Sequence, residues 1–362
     1  MFLIYLVKET YLSLFKLEFS RLNFMKDNFE NRYVHFDKER TKLVFSKLLE
    51  AYHNKVGIFS QSPESLCPSY NLPNSLDCKK DHSLFYFYSV LGDARVKSSV
   101  NYNKFKKLYE RDKRYFNPEF LAEQNLPETN YELVEEGTLE YILGMEIGNP
   151  TPVNLARSII MDSRILLEKY EGNPLKIFSG IDDVLKAHEK IKKEFRGYGP
   201  NLSSLLLTFY LKHKLVSFSN ENALPPKVDF HDITLMFAFG VMKSKFKDME
   251  FGIKRYNIDK LLQGFLSYVA LENGYNIIEL DNALWFLGSQ VCTKFDWLEC
   301  WNNCGVKEYC HTKPGSDLKK VKKNNIIIDK DYHIYPLIEA RIKNIGDLSD
   351  LFIPNFQDRT LL

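Results

Sequence analysis

CTKFDWLECWNNCGVKEYC, running from Cys292 to Cys310, packs four of the chain's six cysteines into nineteen residues. A chain of 362 residues has enough core to fold without a metal or crosslinks for stability alone. The clasp therefore asks for another reason. Its spacing is C-x7-C-x3-C-x5-C. Structural zinc sites usually join two C-x2-C style pairs across a long loop, whereas these four thiols share one short loop directly after a helical stretch. Such a loop can wrap a compact [4Fe-4S] cube, each iron taking one thiolate. The layout favours an iron–sulfur cluster on Cys292, Cys300, Cys304 and Cys310 over zinc, with disulfides third. Cys67 and Cys78 stand apart in SQSPESLCPSYNLPNSLDC (Ser60 to Cys78) and read as free thiols.

Working outward, hydrophobic content of 44% and charged content of 27% are those of an ordinary soluble globular chain. The net charge of +2 excludes little, because charge is unevenly spread. With 27 Phe and 21 Tyr, aromatic rings must fill much of the core and leave some to stack on a planar ligand. The opening MFLIYLVKETYLSLFKLEFSRLNFMK has an apolar run too short to span a bilayer, then recurring charges. It reads as an amphipathic helix or extension of an intracellular protein, cytoplasmic (nucleoid-associated) or nuclear, with no membrane partner.

Helical patterning dominates. LFYFYSVLGDARVKSSVNYNKFKKLYERDKRYF (Leu84 to Phe116) has helical spacing, with Lys104, Lys106, Lys107, Arg111, Lys113 and Arg114 as a solvated face or a nucleic-acid patch. From Asn149 helix follows helix: NPTPVNLARSIIMDSRILLEKY, GIDDVLKAHEKIKKEF, PNLSSLLLTFYLKHKLV, NIDKLLQGFLSYVALENG and NIIELDNALWFLGSQV. In the second of these, Asp182 and Asp183 precede Lys192 and Lys193, which suits the helix dipole. Only short pieces such as NNIIIDKDYHIY look extended, so the second half is predicted to be all-α.

Two joins carry chemistry. In EFRGYGPNLSSLLL (Glu194 to Leu207), one helix ends at Gly197-Tyr198-Gly199 and the next restarts at Pro200. The two glycines permit unusual backbone angles and leave the amides at the second helix start uncovered. That is a phosphate-binding turn built from backbone, or else a plain glycine-closed corner. In ALPPKVDFHDI (Ala223 to Ile233), two prolines stiffen the approach to Asp229, which stands before the apolar helix ITLMFAFGVM. Its simplest role is an N-cap; its sharper role is a carboxylate held at a pocket mouth.

Taken in order, FRGYGPNLSSLLL, the Pro-rich loop ending in VDFH, and ALWFLGSQVC leading into the cysteines resemble the helix-hairpin-helix DNA glycosylase superfamily, specifically its endonuclease III-like iron–sulfur branch. The resemblance spans roughly Asn149 to Cys310. It implies a mainly α, two-lobed fold with a helix-hairpin-helix glycosylase core (141–290) and a cluster loop with a basic segment (291–325); the N-terminal extension or accessory helical region (1–140) is not accounted for by it, and a tail (326–362) follows. Against the family spacing C-x6-C-x2-C-x5-C, this loop carries one extra residue in each of the first two gaps and the same number of ligands. Members that also cut the backbone carry lysine two residues after the second hairpin glycine; here that residue is Asn201, whose amide cannot form a Schiff base.

The family's catalytic aspartate corresponds to Asp229. The resemblance thus implies a monofunctional glycosylase, acting as a monomer on double-stranded DNA with a damaged or modified base. DNA contacts are expected at Gly197, Tyr198, Gly199, Asn201, Lys294 and Lys307, with Lys319, Lys320, Lys322 and Lys323 in KPGSDLKKVKKNN extending the basic surface or serving as a solvated tail. The stretch Leu155 to Leu167 resembles the helix that lines the family's base pocket. Two rivals stand beside this reading: a bifunctional glycosylase–lyase using Lys227 or Lys192, and a non-catalytic nucleic-acid-binding iron–sulfur protein.

Overall fold

The computed structural model describes residues 34–61, 70–93, 98–127, 135–244, 258–292, 302–310, 326–329 and 332–334. The chain is mainly helical. It enters through strand β1 (Val34–Phe36) and helix α1 (Lys38–His53), which Asp37 starts by accepting the Arg40 amide. Val44, Phe45, Leu48 and Leu49 form the buried stripe of α1. Helix α2 (Lys79–Gly92) is buried at every residue from Ser83 to Gly92, and such all-round burial marks a central helix. Its Tyr88 hydroxyl lies 2.8 Å from that of Ser163, and its Tyr86 hydroxyl 2.7 Å from His213 Nε2, so the buried tyrosines keep polar partners.

Around α2 stand α3 (Ser98–Arg111), α4 (Pro118–Ala122), a short α5 (Leu139–Tyr141) that widens into a π-helical turn, α6 (Pro152–Tyr170), α7 (Val184–Glu194) and α8 (Pro200–Lys212). Helix α2 packs on α3, α6 and α8. A second helical group joins α9 (Phe230–Ala238), α10 (Ile258–Asn273) and α11 (Ile277–Phe286) to α1. The two groups share one continuous apolar core. Among the described residues, no helix is long and apolar enough to cross a membrane.

Two expectations change. The apolar run ITLMFAFGVM is not one helix: α9 stops at Ala238, and Gly240 at φ 67° turns the chain into strand β2 (Met242–Ser244). That strand pairs antiparallel with β1 and with β4 (Tyr332–Ile334), which in turn pairs with β3 (Ile326–Asp329). The second half is therefore not purely helical, although the extended reading of 326–334 agrees with the strands. Within residues 34–140, α1 and α2 lie one in each helical group. Finally, Leu84 to Phe116 divides into α2, α3 and a 3-10 turn, and its cations are largely engaged. Arg111 pairs with Glu146, Lys113 with Asp77 and Arg114 with Asp112, while Lys104 donates to the Ile147 carbonyl. Four of the six cations on that face, Lys104, Arg111, Lys113 and Arg114, are thus engaged. The expectations for 1–33, Cys67, 311–325 and 335–362 lie outside the described residues.

Candidate functional site

The hairpin forms as its residues dictate. Helix α7 ends at Glu194, Gly197 takes φ 86°, and α8 begins at Gly199–Pro200. Only Gly197 uses the left-handed region; Gly199 sits at φ −76° in extended backbone. A Cβ on Gly197 would stand 3.1 Å from Leu91 and 3.3 Å from Ser158 Oγ, whereas one on Gly199 would meet open space. The buried Asp162 carboxylate braces the turn by accepting the Arg196 amide at 2.7 Å. Burial, against the pull of that amide and of the Arg196 charge, pushes the Asp162 carboxyl well above its ordinary range. From inside, His188 Nε2 donates to the Pro200 carbonyl at 3.0 Å. Gly197, Gly199 and Arg196 remain exposed at the tip.

Tyr198 does not join that exposed tip. Its ring is buried and its hydroxyl donates to the Phe87 carbonyl, so only its backbone is available to a ligand. Asn201 is also turned inward. Its Nδ2 donates to the Val228 carbonyl at 2.9 Å, and its Oδ1 accepts the Val228 amide at 3.5 Å. Gln263 of α10 adds a bond to the Pro226 carbonyl at 2.7 Å. The position that reads as a DNA contact is instead a two-point clamp between the hairpin and the Pro-rich loop.

That clamp delivers Asp229. The half-buried aspartate starts α9, accepting the His231 amide at 2.7 Å, while Asp232 Oδ2 accepts the Asp229 amide at 2.9 Å. This reciprocal capping box fixes the loop-to-helix corner. Around it gathers a set of charges from distant parts of the chain. Lys227 Nζ donates to Asp93 Oδ2 at 2.8 Å, with side-chain exposures of 19% and 1%. Burial pulls the Lys227 ammonium down, but the Asp93 and Asp229 charges outweigh it and hold the group above its usual value. Asp232 is pushed well up by burial and by the Asp229 and Asp281 charges. Asp281, on α11, is pushed up to about 6 by burial, against the pull of Lys212 and Lys227. His231 is pushed down by burial.

Asp93, Asp281 and Gln263 are the residues the sequence reading missed. No local motif marks them, because their partners lie far along the chain. Asp93 Oδ1 is buried with no hydrogen-bond partner among the described residues.

The cysteine loop packs on the N-terminal helix. Arg40 of α1 reaches both the Phe239 carbonyl at 2.9 Å and the Tyr309 carbonyl at 2.6 Å, tying the end of α9 to the loop. Gly305 comes so close that a Cβ there would stand 2.6 Å from Ala51 Cβ. Cys292 and Cys304 are buried and Cys310 is half-buried, all against the core. Thiolates are the donor type that an iron–sulfur cluster takes. Among the described residues, however, no three His, Cys, Asp or Glu side chains converge on a metal-holding group. Cys300 and Lys294 lie outside the described residues, and Lys307 stands half-buried on a 3-10 turn, Lys307–Tyr309.

Compared with known proteins, the chain matches no family model and no curated sequence. The functional reading therefore rests on its own residues.

Proposed function

We propose that this chain is a monofunctional DNA N-glycosylase of the helix-hairpin-helix type, releasing a damaged or modified base with water and leaving an abasic site. The observation that carries the reading is the Asn201–Val228 bond. It ties the first turn of the helix behind the exposed hairpin tip to the residue preceding a rigidly held acid. A strand gripped by its phosphates at Gly197–Gly199 would thus present a nucleotide within the neighbourhood of Asp229. Unpairing and unstacking that nucleotide costs a few kcal/mol (about 2–4), least for a base already mispaired or damaged.

Breaking the C1′–N bond sends its electron pair to the base and leaves positive charge on the sugar. The Asp229 carboxylate stabilises that charge and accepts a proton from the water that adds to C1′. Lys227 is a poor lyase nucleophile, because a Schiff base needs a neutral amine and this ammonium is buried against Asp93. Lys192 is likewise paired, with Glu189. Cys292, Cys300, Cys304 and Cys310 would hold a [4Fe-4S] cluster, which would fix the loop beside α1.

The test is a panel of duplexes bearing uracil, hypoxanthine, 8-oxoguanine or 3-methyladenine, read by strand cleavage after alkali. Wild type should release at least one base, Asp229→Asn should bind the same duplex and release none, and borohydride should trap no covalent adduct. A trapped adduct would overturn the monofunctional assignment. Protein purified without oxygen should be yellow-brown and contain iron and acid-labile sulfide in equal amounts.

A further inference from the structure

Lys227 and Asp229 are separated by one residue on a stiff, extended approach, with Asp229 itself at φ −123° and ψ −172°. Alternate residues of extended chain project to the same side. A lysine and an aspartate so placed are natural partners for each other. The structure shows a different pairing: the Lys227 ammonium crosses to the end of α2 and binds Asp93 at 2.8 Å.

Both ends of this contact are rigid. On the lysine side, Asn201 and Gln263 hold the backbone at Val228 and Pro226. On the aspartate side, Gly92 is packed so tightly that a Cβ would stand 2.4 Å from the Phe105 ring. The Asp93 carboxylate spends one oxygen on Lys227 and leaves the other buried without a partner among the described residues. The contact occupies the lysine ammonium.

We propose that Asp93 is a positioning residue: by pairing with Lys227 it keeps the Asp229 carboxylate out of an ion pair with that lysine, so that its charge faces the substrate sugar. The role rests on the glycosylase reading of Asp229. Without Asp93, the ammonium would turn to Asp229, quench the charge that stabilises the sugar cation, and place a positive charge beside it.

The experiment is single-turnover base release from the duplex panel, with affinity for the same duplexes and thermal melting measured alongside, for wild type, Asp229→Asn, Asp93→Asn and the double variant Asp93→Asn/Lys227→Met. Asp93→Asn should slow release by about 10²-fold at unchanged affinity. Deleting the lysine as well should bring the rate back to within about tenfold of wild type, because a neutral pair of similar volume is tolerated where an ion pair was buried. A purely structural pair would instead show the rate falling and recovering in step with the melting temperature, whereas a positioning role lowers the rate in Asp93→Asn protein that is still folded at the assay temperature. If Asp93→Asn does not fold, the double variant decides: near-normal release supports the role, whereas a folded but inactive double variant, or one that does not fold, overturns it. Wild-type activity lost in Asp229→Asn but unchanged in Asp93→Asn removes the Asp93 role alone. No release by wild type from any duplex removes the glycosylase reading and this role with it.

Discussion

Helices α8 and α9 begin in opposite ways. At Gly199 no side chain caps α8, the residue is exposed, and space around its missing Cβ is open. At Asp229 a full capping box consumes the first donors of α9. Every helix start leaves orphan amides. One start hands them to water or to an anion from outside, and the other satisfies them internally. The first arrangement suits reception of a phosphate; the second suits a side chain that must not move. Asn201 joins the two, so an exposed grip and a fixed acid are parts of one rigid corner.

The largest expected effect separates the two jobs of Asp229. Asparagine caps helices about as well as aspartate, so Asp229→Asn keeps the start of α9 while removing the charge. Base release in single-turnover assays should fall by at least about 10³-fold, roughly 4 kcal/mol in the barrier. The melting temperature should shift by less than about 4 °C. A large loss of stability would mean that the acid serves the fold rather than the reaction. Next comes the turn that opens α8. Gly197→Ala forces a side chain into φ 86° and against Leu91 and Ser158. Urea unfolding should show a loss of about 2 kcal/mol, accompanied by weaker binding to any duplex.

How much of this was legible in the sequence depends on the reach of each interaction. The hairpin could be read because its cause is local: glycines, a proline at the first helical position and dipole-matched charges all lie within a few residues. Asp229 as an N-cap could be read for the same reason. The Asn201–Val228 clamp could not, since an asparagine amide gives no hint of which carbonyl it will find. Nothing local marks Asp93, which faces a lysine 134 positions away. The break after Ala238 had a visible signal in Gly240, outweighed by the strong apolar run on either side. The three-residue strands β1 and β2 carry too little pattern to be distinguished from loop.

The charge set around Asp229 makes a pH prediction. Asp281 titrates near 6 in the folded protein against 3.8 as its ordinary value, so folding favours its protonated form. That contribution to stability is fully present below about pH 4 and is lost as pH rises through about 6. Lys212, Lys227, Asp229 and Asp232 are the groups that share its surroundings. Asp281→Asn removes the titration. In urea unfolding the variant should match wild type near pH 4 and exceed it at pH 7.5 by about 1–2 kcal/mol, the two-unit shift discounted for partial exposure. A constant difference across that window would show that the Asp281 carboxyl is not desolvated.

The smallest effect is the most direct test of the contrast between helix starts. Gly199 stands in extended backbone that any residue adopts, with room for a side chain. Gly199→Asp should therefore build at α8 the kind of cap that α9 already has. Aspartate at this position gains a few tenths of a kcal/mol over glycine as a cap, plus the dipole term, about 0.5–1 kcal/mol in all. The variant should melt higher than wild type by a few degrees, about 2–4 °C. It should also bind duplex DNA more weakly, because the carboxylate now occupies the amides and repels the phosphate. Most substitutions that stabilise a protein leave binding alone, so a coupled gain in melting temperature and loss of affinity is specific to an open helix start kept for a ligand. Equal binding by Gly199→Asp and wild type would mean that the open amides of α8 are satisfied by water and that the strand is gripped elsewhere.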